Sequence, residues 1–553
     1  MSSMESRTFD EVNEGRLKEY LKINPDQATI LGLHEPYDWQ LPNGGFKTYE
    51  DTRAHLDSWY KEVAGFAEAS ELTSEKMLAV KALKSAVDVY HFSMDDFPHW
   101  KMNPDALEIP GGLIFIMLTR DYAPYDQRVS AMCSRIGRFP KYLKEFRTRF
   151  QDTKPVRTWT DMAIETAEQF PGFLGVLRQS SAHRVSESLM EDLVRSTGAC
   201  EEALKEQVEW LRQIREGSTD KFAMGKRKFA KMIKIRGIGL TPDEMLALGE
   251  KYLREFKKQR KAVAERISPG RGVDGATEMV RANCPKTFED ALKATEDVMN
   301  RAKQFIIDHN LATVDSGASL RVMETPAFMA SLLPYAAIFE PSIFDKSQEG
   351  MYIVTRPKDP KDLGSHLNHA SIVNTAVHEA YPGHFQQSVA SNKKYWMLQV
   401  AASGGGDLIA SGTETHEGWA HYCEKMMFEH GFEADDAAEF EMLNGAIWRA
   451  CRIVADIKLA LGEAPIKDMV EWMTKETGMA KYAMEGEVKR YSHTPGQALS
   501  YMIGRHLMLE LRKDLEKELG QRFEEKRFHD AILAYGVLPF SLLREAVTAE
   551  LRA

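Results

Sequence analysis

Cysteine is scarce: Cys133, Cys200, Cys284, Cys423 and Cys451 are the only five in a chain of 553 residues. Their odd number and wide spacing exclude a disulfide framework and a thiolate zinc knuckle, so any metal must be held by histidine and carboxylate. Long apolar runs are also missing. No stretch approaches 18 uncharged apolar residues, and the opening MSSMESRTFDEVNEGRLKEY carries charges where a secretory apolar segment would lie. The expectation is a cytoplasmic protein with no membrane partner. Positive charge is not in excess either: 72 basic against 82 acidic residues leave a net charge of −10, which gives no pull toward nucleic acid. The basic run Lys221 to Arg236 lacks the interleaved aromatics of a single-strand binder and reads as a solvated face.

With 43% hydrophobic and 28% charged residues, the composition is that of an ordinary globular protein. Helical signatures recur throughout. In the segment Thr241 to Ile267, Thr241 caps, Pro242 occupies the first turn, and Leu246, Leu248, Tyr252 and Phe256 supply apolar positions. Strand-like segments are rare, Gly350 to Arg356 being the best. The fold class expected is mainly α, a large helical body with a central cleft and at most a few short strands. Turn punctuation falls at Leu41 to Gly45, Ile267 to Gly275 and Ala402 to Asp407, with no flexible linker and no internal repeat. An N-terminal helical half, residues 1–270, is expected to form one cleft wall, and residues 271–553 to carry the chemistry.

The stretch TAVHEAYPGHFQQ, Thr375 to Gln387, begins like a zinc hydrolase motif, but its second histidine comes six residues after the first. In a straight helix that places His384 about 240° round from His378 and roughly 9 Å along it. Pro382 cannot donate an amide hydrogen and must kink, bulge or stop a helix near Tyr381, and Gly383 permits backbone angles closed to other residues. The expectation is a bulge at Tyr381 to Gly383, absorbing two extra residues and returning His384 to the face of His378. A helix that simply ends at Tyr381, with His378 packed, is the alternative. A second stretch, Gly412 to Met427, offers Glu414, His416, Glu417, His421 and Glu424, of which Glu417, His421 and Glu424 share one helical face. It reads either as a solvated polar stripe or as a ligand donor. Two histidines with a downstream carboxylate form a common ligand set for catalytic zinc.

The motifs HEAYPGH, EGWAHYCE, EVKRYSHTPGQALSYMIGR and FHDAILAYGVLPFSLLRE resemble those of the family catalogued as domain of unknown function 885, whose members are regarded as zinc-dependent peptidases similar to gluzincins. Weaker echoes at Ala28 to Glu35 and Arg135 to Leu143 extend the resemblance over nearly the whole chain. It implies one Zn2+ per chain, with His378, His384 and Glu417 as ligands and Glu379 as general base. This chain departs from the family pattern at Phe385, Gln386 and Gln387, where a second histidine and Leu-Gln are usual. It also departs at His421, where Leu is usual, and at Lys458 and Ala460.

Glu379, beside the metal but not on it, would take a proton from water and pass it to the leaving amine. Glu424 would accept the other N–H of a ligand histidine, with His421 beside it. The stretch Glu487 to Arg505 offers Tyr491 or Tyr501 as oxyanion donor and Arg490 or Arg505 as partner for a substrate carboxylate, with His493 and Gln497 lining the cleft. The function expected is a zinc metallopeptidase acting on short peptides, an exopeptidase of carboxypeptidase or dipeptidase type. An amidohydrolase on a non-peptide or modified amino-acid amide is one rival reading. A non-catalytic peptide-binding protein with a vestigial metal site is the other.

Overall fold

The computed structural model of the chain describes residues 7–68, 72–325, 333, 335–402 and 412–553, so most of the turn at Ala402 to Asp407 lies outside the described residues. Contacts sort the chain into two compact units. Among the described residues, those up to Phe222 with Ser342–Lys346 make one, and those from Ala223 to Pro341, 347–402 and 412–553 the other. The first changeover thus falls between Phe222 and Ala223, whereas the sequence set the division near residue 270. The helix Pro242–Ile267, here α1, accounts for the difference. Its Gly249 lies against Ile453, and its Arg260 donates to the Asn444 side chain at 2.9 Å, so it packs within the C-terminal unit. Thr241 and Glu244 cap it reciprocally, as expected. Its buried stripe is Met245, Gly249, Leu253 and Phe256, four residues or fewer apart, while Leu246, Leu248 and Tyr252 flank it half-buried.

The first unit is helical, with long elements such as Lys47–Glu68, Arg157–Ser181 and Glu187–Glu216. A buried polar knot ties its two sequence echoes together. Asp38 accepts from the Thr29 hydroxyl and the Tyr122 phenol, each at 2.6 Å, and Arg135 donates to Thr29 at 2.8 Å. Burial of these charges demands such pairing.

In the second unit, the strands found among the described residues are β1 (Ser319–Glu324), β2 (Ala336–Phe339) and β3 (Glu349–Val354), in the order β1-β3-β2. β3 runs parallel to β1, pairing Ser319 with Glu349, and antiparallel to β2, pairing Phe339 with Met351. The expected strand at Gly350 is the buried central one, and the fold is mainly α. Helices then follow: α2 (His369–Glu379), α3 (His384–Ser391), α4 (Thr413–Glu429), α5 (Asp436–Leu461), α6 (Lys481–His493) and α7 (Ser500–Leu519). No described helix is long and apolar enough to cross a membrane.

Two elements fix where α4 lies. Phe385 of α3 packs on β3 at Gly350, and α4 meets α7 backbone to backbone where Gly418 faces Gly504. A β-carbon at Gly504 would overlap the carbonyl of Glu414 and come within 2.6 Å of the Gly418 α-carbon. That overlap involves backbone on both sides, and no side-chain rotation relieves it. Gly504→Ala should therefore destabilise the chain by roughly 3 kcal/mol, read as a lower urea midpoint; an unchanged midpoint would show that the two helices can separate freely.

Candidate metal centre

Helix α2 stops at Glu379 instead of bulging. Ala380 leaves helical geometry, the Tyr381–Pro382 peptide is cis, and α3 begins afresh at His384. The expected bulge within one continuous helix is thus a break between two helices. Gly383, just before the fresh start, has φ −67° and ψ −138°, outside helical geometry. What it permits is close approach. Its N–H donates to the Val377 carbonyl at 3.1 Å, and a β-carbon there would overlap the His378 carbonyl oxygen. The chain folds back onto the last turn of α2, and the Trp419 indole secures the turn by donating to the Pro382 carbonyl at 2.8 Å.

This fold-back brings the two imidazoles together at right angles, with centroids 4.8 Å apart. Glu417 of α4 completes the group. Its Oε2 lies 3.6 Å from His378 Nε2 and 3.3 Å from His384 Nε2. Ligand atoms about 2.1 Å from a tetrahedral ion stand about 3.4 Å apart, so the spacing fits the donor set of two histidines and a carboxylate. Glu417 Oε2 and His384 Nδ1 are buried without a hydrogen-bond partner, which a shared cation would supply at the first. Burial alone would raise the Glu417 carboxyl, yet the facing imidazoles hold it well below the usual range.

Glu424 sits behind His378. It receives Nδ1 of His378 at 2.7 Å, the Asn374 amide at 3.0 Å and the Arg449 guanidinium at 2.8 Å. With Nδ1–H donating to Glu424, the Nε2 lone pair of His378 is turned toward Glu417. Burial opposes a charged imidazole, but Glu417 and Glu424 together raise His378 to about 9. Glu379 is half-buried at the helix end, and burial lifts its carboxyl to about 7. That value suits a group that must both take and give a proton near neutrality.

The other expected residues separate. Tyr501 lies nearly parallel to the His378 ring, 6.3 Å from it, with Arg452 over its ring at 4.4 Å and Gln497 Nε2 at 3.4 Å from its hydroxyl. Tyr491 is instead committed to structure: its hydroxyl donates to Glu487 at 2.6 Å and accepts from Arg452 at 2.9 Å. Arg490 bonds Gln497 at 2.8 Å and Glu487 at 2.9 Å. Arg505 points elsewhere, to His421 Nε2 at 3.1 Å, and burial draws it down to about 10. His421, whose other nitrogen faces the Tyr501 carbonyl at 3.4 Å, therefore braces α4 against α7 and does not touch a ligand histidine. His493 is buried at the last position of α6.

Asp456, Arg236 and Glu340 carried no local signal as site residues, whereas Glu414 and His416 lay in the second candidate stretch. Asp456, buried, accepts from the Gly496 and Leu499 amides at 2.8 and 2.9 Å and so shapes the turn before Tyr501. Arg236, at the end of the basic run, is buried, donates to the Gly496 carbonyl at 2.9 Å and pairs with Glu414. His416 stacks on His384 at 4.0 Å and faces Gln387 at 3.2 Å, and Glu340, just after β2, lies 3.7 Å from His416. Glu340, His384 and His416 form a second close group of donor atoms that shares His384 with the first.

Residues 25–547 match the family described as "Bacterial protein of unknown function (DUF885)". No curated protein matches the chain. Two solved structures share its fold over 98% of its length and 99% of theirs. One, from Shewanella oneidensis and described as a "putative lipoprotein of unknown function", is 20% identical with a TM-score of 0.77. The other, a "putative lipoprotein" from Colwellia psychrerythraea, is 18% identical with a TM-score of 0.80. These descriptions overturn the cytoplasmic placement expected from the sequence.

The two raised groups make a pH profile. Glu379 stands at about 7 against an ordinary 4.5, and His378 at about 9 against 6.5. Between those values the folded chain holds more protons than the unfolded one, so stability is greatest at the acid end and is lost as pH rises. Glu417 and Glu424 are depressed and act in the opposite sense, only below the usual carboxylate range. In chelator-treated protein, urea midpoints should fall between about pH 5 and about pH 9, and Glu379→Gln should shrink the fall on the acid side of that range. A flat profile would contradict the assignment of both groups.

Proposed function

The chain belongs to the DUF885 family of bacterial proteins, and we propose that it is a zinc-dependent hydrolase that cleaves peptide bonds in short peptides, acting as an exopeptidase. One observation carries the reading: a single carboxylate oxygen, Glu417 Oε2, faces the Nε2 atoms of both His378 and His384 at ligand spacing, with Glu379 beside them. His378, His384 and Glu417 would hold the ion. When bound, zinc polarises a carbonyl oxygen and lowers the pKa of water, making it a nucleophile at neutral pH.

The remaining work falls to this chain's own side chains. A Glu379 oxygen takes the proton of the attacking water and delivers it to the leaving nitrogen, a role that its raised carboxyl supports. Burial and the nearby Glu417 raise the Tyr501 phenol above its ordinary value, so its hydroxyl keeps a proton to donate as the substrate carbonyl oxygen gains charge. Arg452 beneath the ring and Gln497 beside the hydroxyl hold that donor in place. Arg490 and Arg452 share Glu487 as a carboxylate partner, and the second positive charge suits a substrate carboxylate. This favours peptides with a free end and accounts for preferring an exopeptidase.

Purified protein given zinc should bind about one ion per chain, His384→Ala should lose it, and Glu379→Gln should keep it while peptide hydrolysis drops by roughly 10³-fold. Full activity in Glu379→Gln, measured beside metal content by atomic absorption, would reject the general base. Tyr501→Phe should lower kcat by about 10²-fold with KM little changed, whereas Tyr491→Phe should act chiefly on stability. If the two tyrosines exchange those effects in steady-state kinetics and urea melts, the oxyanion donor is misassigned.

A further inference from the structure

Glu340 follows the last residue of β2, the edge strand of the sheet, and is half-buried. Among the described residues β2 pairs only with β3, on one side. The Glu340 carboxylate lies 3.7 Å from His416 Nε2, and a donor atom of Glu340 falls within 4.8 Å of a ring nitrogen of His384, a proposed metal ligand. The carboxylate is therefore beside the metal triad on the His384 side, while Tyr501, Gln497 and Arg490 extend from the His378 side. His416 is placed between, its ring on His384 and its Nδ1 facing Gln387.

The reach matches one part of a peptide. An α-amino nitrogen is two bonds, about 2.5 Å, from the carbonyl carbon of its own residue, and a charged hydrogen bond adds about 2.8 Å. Glu340, with a donor atom within 4.8 Å of a ring nitrogen of His384, is on that scale of reach, which suits the ammonium of the residue being released better than a group farther along the chain. An acidic group there would also repel a peptide bound the other way round, with its carboxylate on that side.

Building on the proposed peptidase reading, we propose that Glu340 binds the free α-ammonium of the substrate, so that cleavage releases the amino-terminal residue of a short peptide. Together with the Arg490 side of the site, this selects short peptides with both ends free.

The test separates binding from turnover. Zinc-loaded Glu379→Gln protein is titrated by calorimetry with L-leucinamide, which carries the ammonium, and with N-acetyl-L-leucinamide, which does not. A preference of at least 30-fold for the free amine is expected. Adding Glu340→Gln should reduce it to within threefold with unchanged zinc content, and Glu340→Asp, which keeps the charge, should retain much of it. No preference for the amine, or a preference that survives Glu340→Gln, would overturn the inference. In parallel, wild-type protein is assayed with Leu-Gly and N-acetyl-Leu-Gly. Absence of hydrolysis of either sinks the proposed reaction while the calorimetry still decides on Glu340; equal hydrolysis of both sinks the role of Glu340 alone.

Discussion

A buried carboxylate holds the centre of the C-terminal unit in place. Glu424 is 3% exposed, and a charge so far from water is tolerated only when its oxygens are occupied. Its partners come from two other helices: itself on α4, it takes His378 and Asn374 from α2 and Arg449 from α5. Satisfying one charge thus sets the separation of three helices and the orientation of an imidazole at once. The penalty for losing any partner is a stranded ion, which is larger than the value of the bond itself.

The same logic recurs a few residues away. Glu487 accepts from Tyr491, Arg452 and Arg490, and Asp456 accepts from two backbone amides of the turn that precedes α7. Burial lifts Asp456 to about 6, so that turn is shaped by amides against a carboxyl which the interior disfavours as an anion. Around the triad, then, precision comes from charged networks and from the Gly418–Gly504 contact, not from apolar packing alone.

What the sequence disclosed follows the range of each interaction. The mainly α class, the cap at Thr241 and the strand at Gly350 are local and were legible. That Glu417 and Glu424 share one helix face was legible too, because a seven-residue spacing is local geometry, although the spacing left open what the face meets. The break at Tyr381 to Gly383 was visible as a disruption, but not its form, since proline and glycine announce an irregularity without choosing between a bulge and a fresh start. Tyr491 and Tyr501 looked alike in sequence; Glu487, one turn before Tyr491, and the distant Arg452 together commit the first to structure. Glu340 and Arg236 carried no signal, being set apart from their partners by dozens to hundreds of residues. The expected solvated face at Lys221 to Arg236 ends in a buried arginine for the same reason.

The fold-back at Gly383 would make His378 and His384 a single chelating arm for the proposed ion. Because the second backbone rests on the first, neither ring searches independently for its place, and the orientational entropy of bringing two monodentate ligands to one point is met during folding. Binding the proposed cation would then resemble attaching a bidentate ligand to a third donor on α4. A centre built this way is preorganised by backbone packing, unlike small metal domains whose chain is ordered only by the ion.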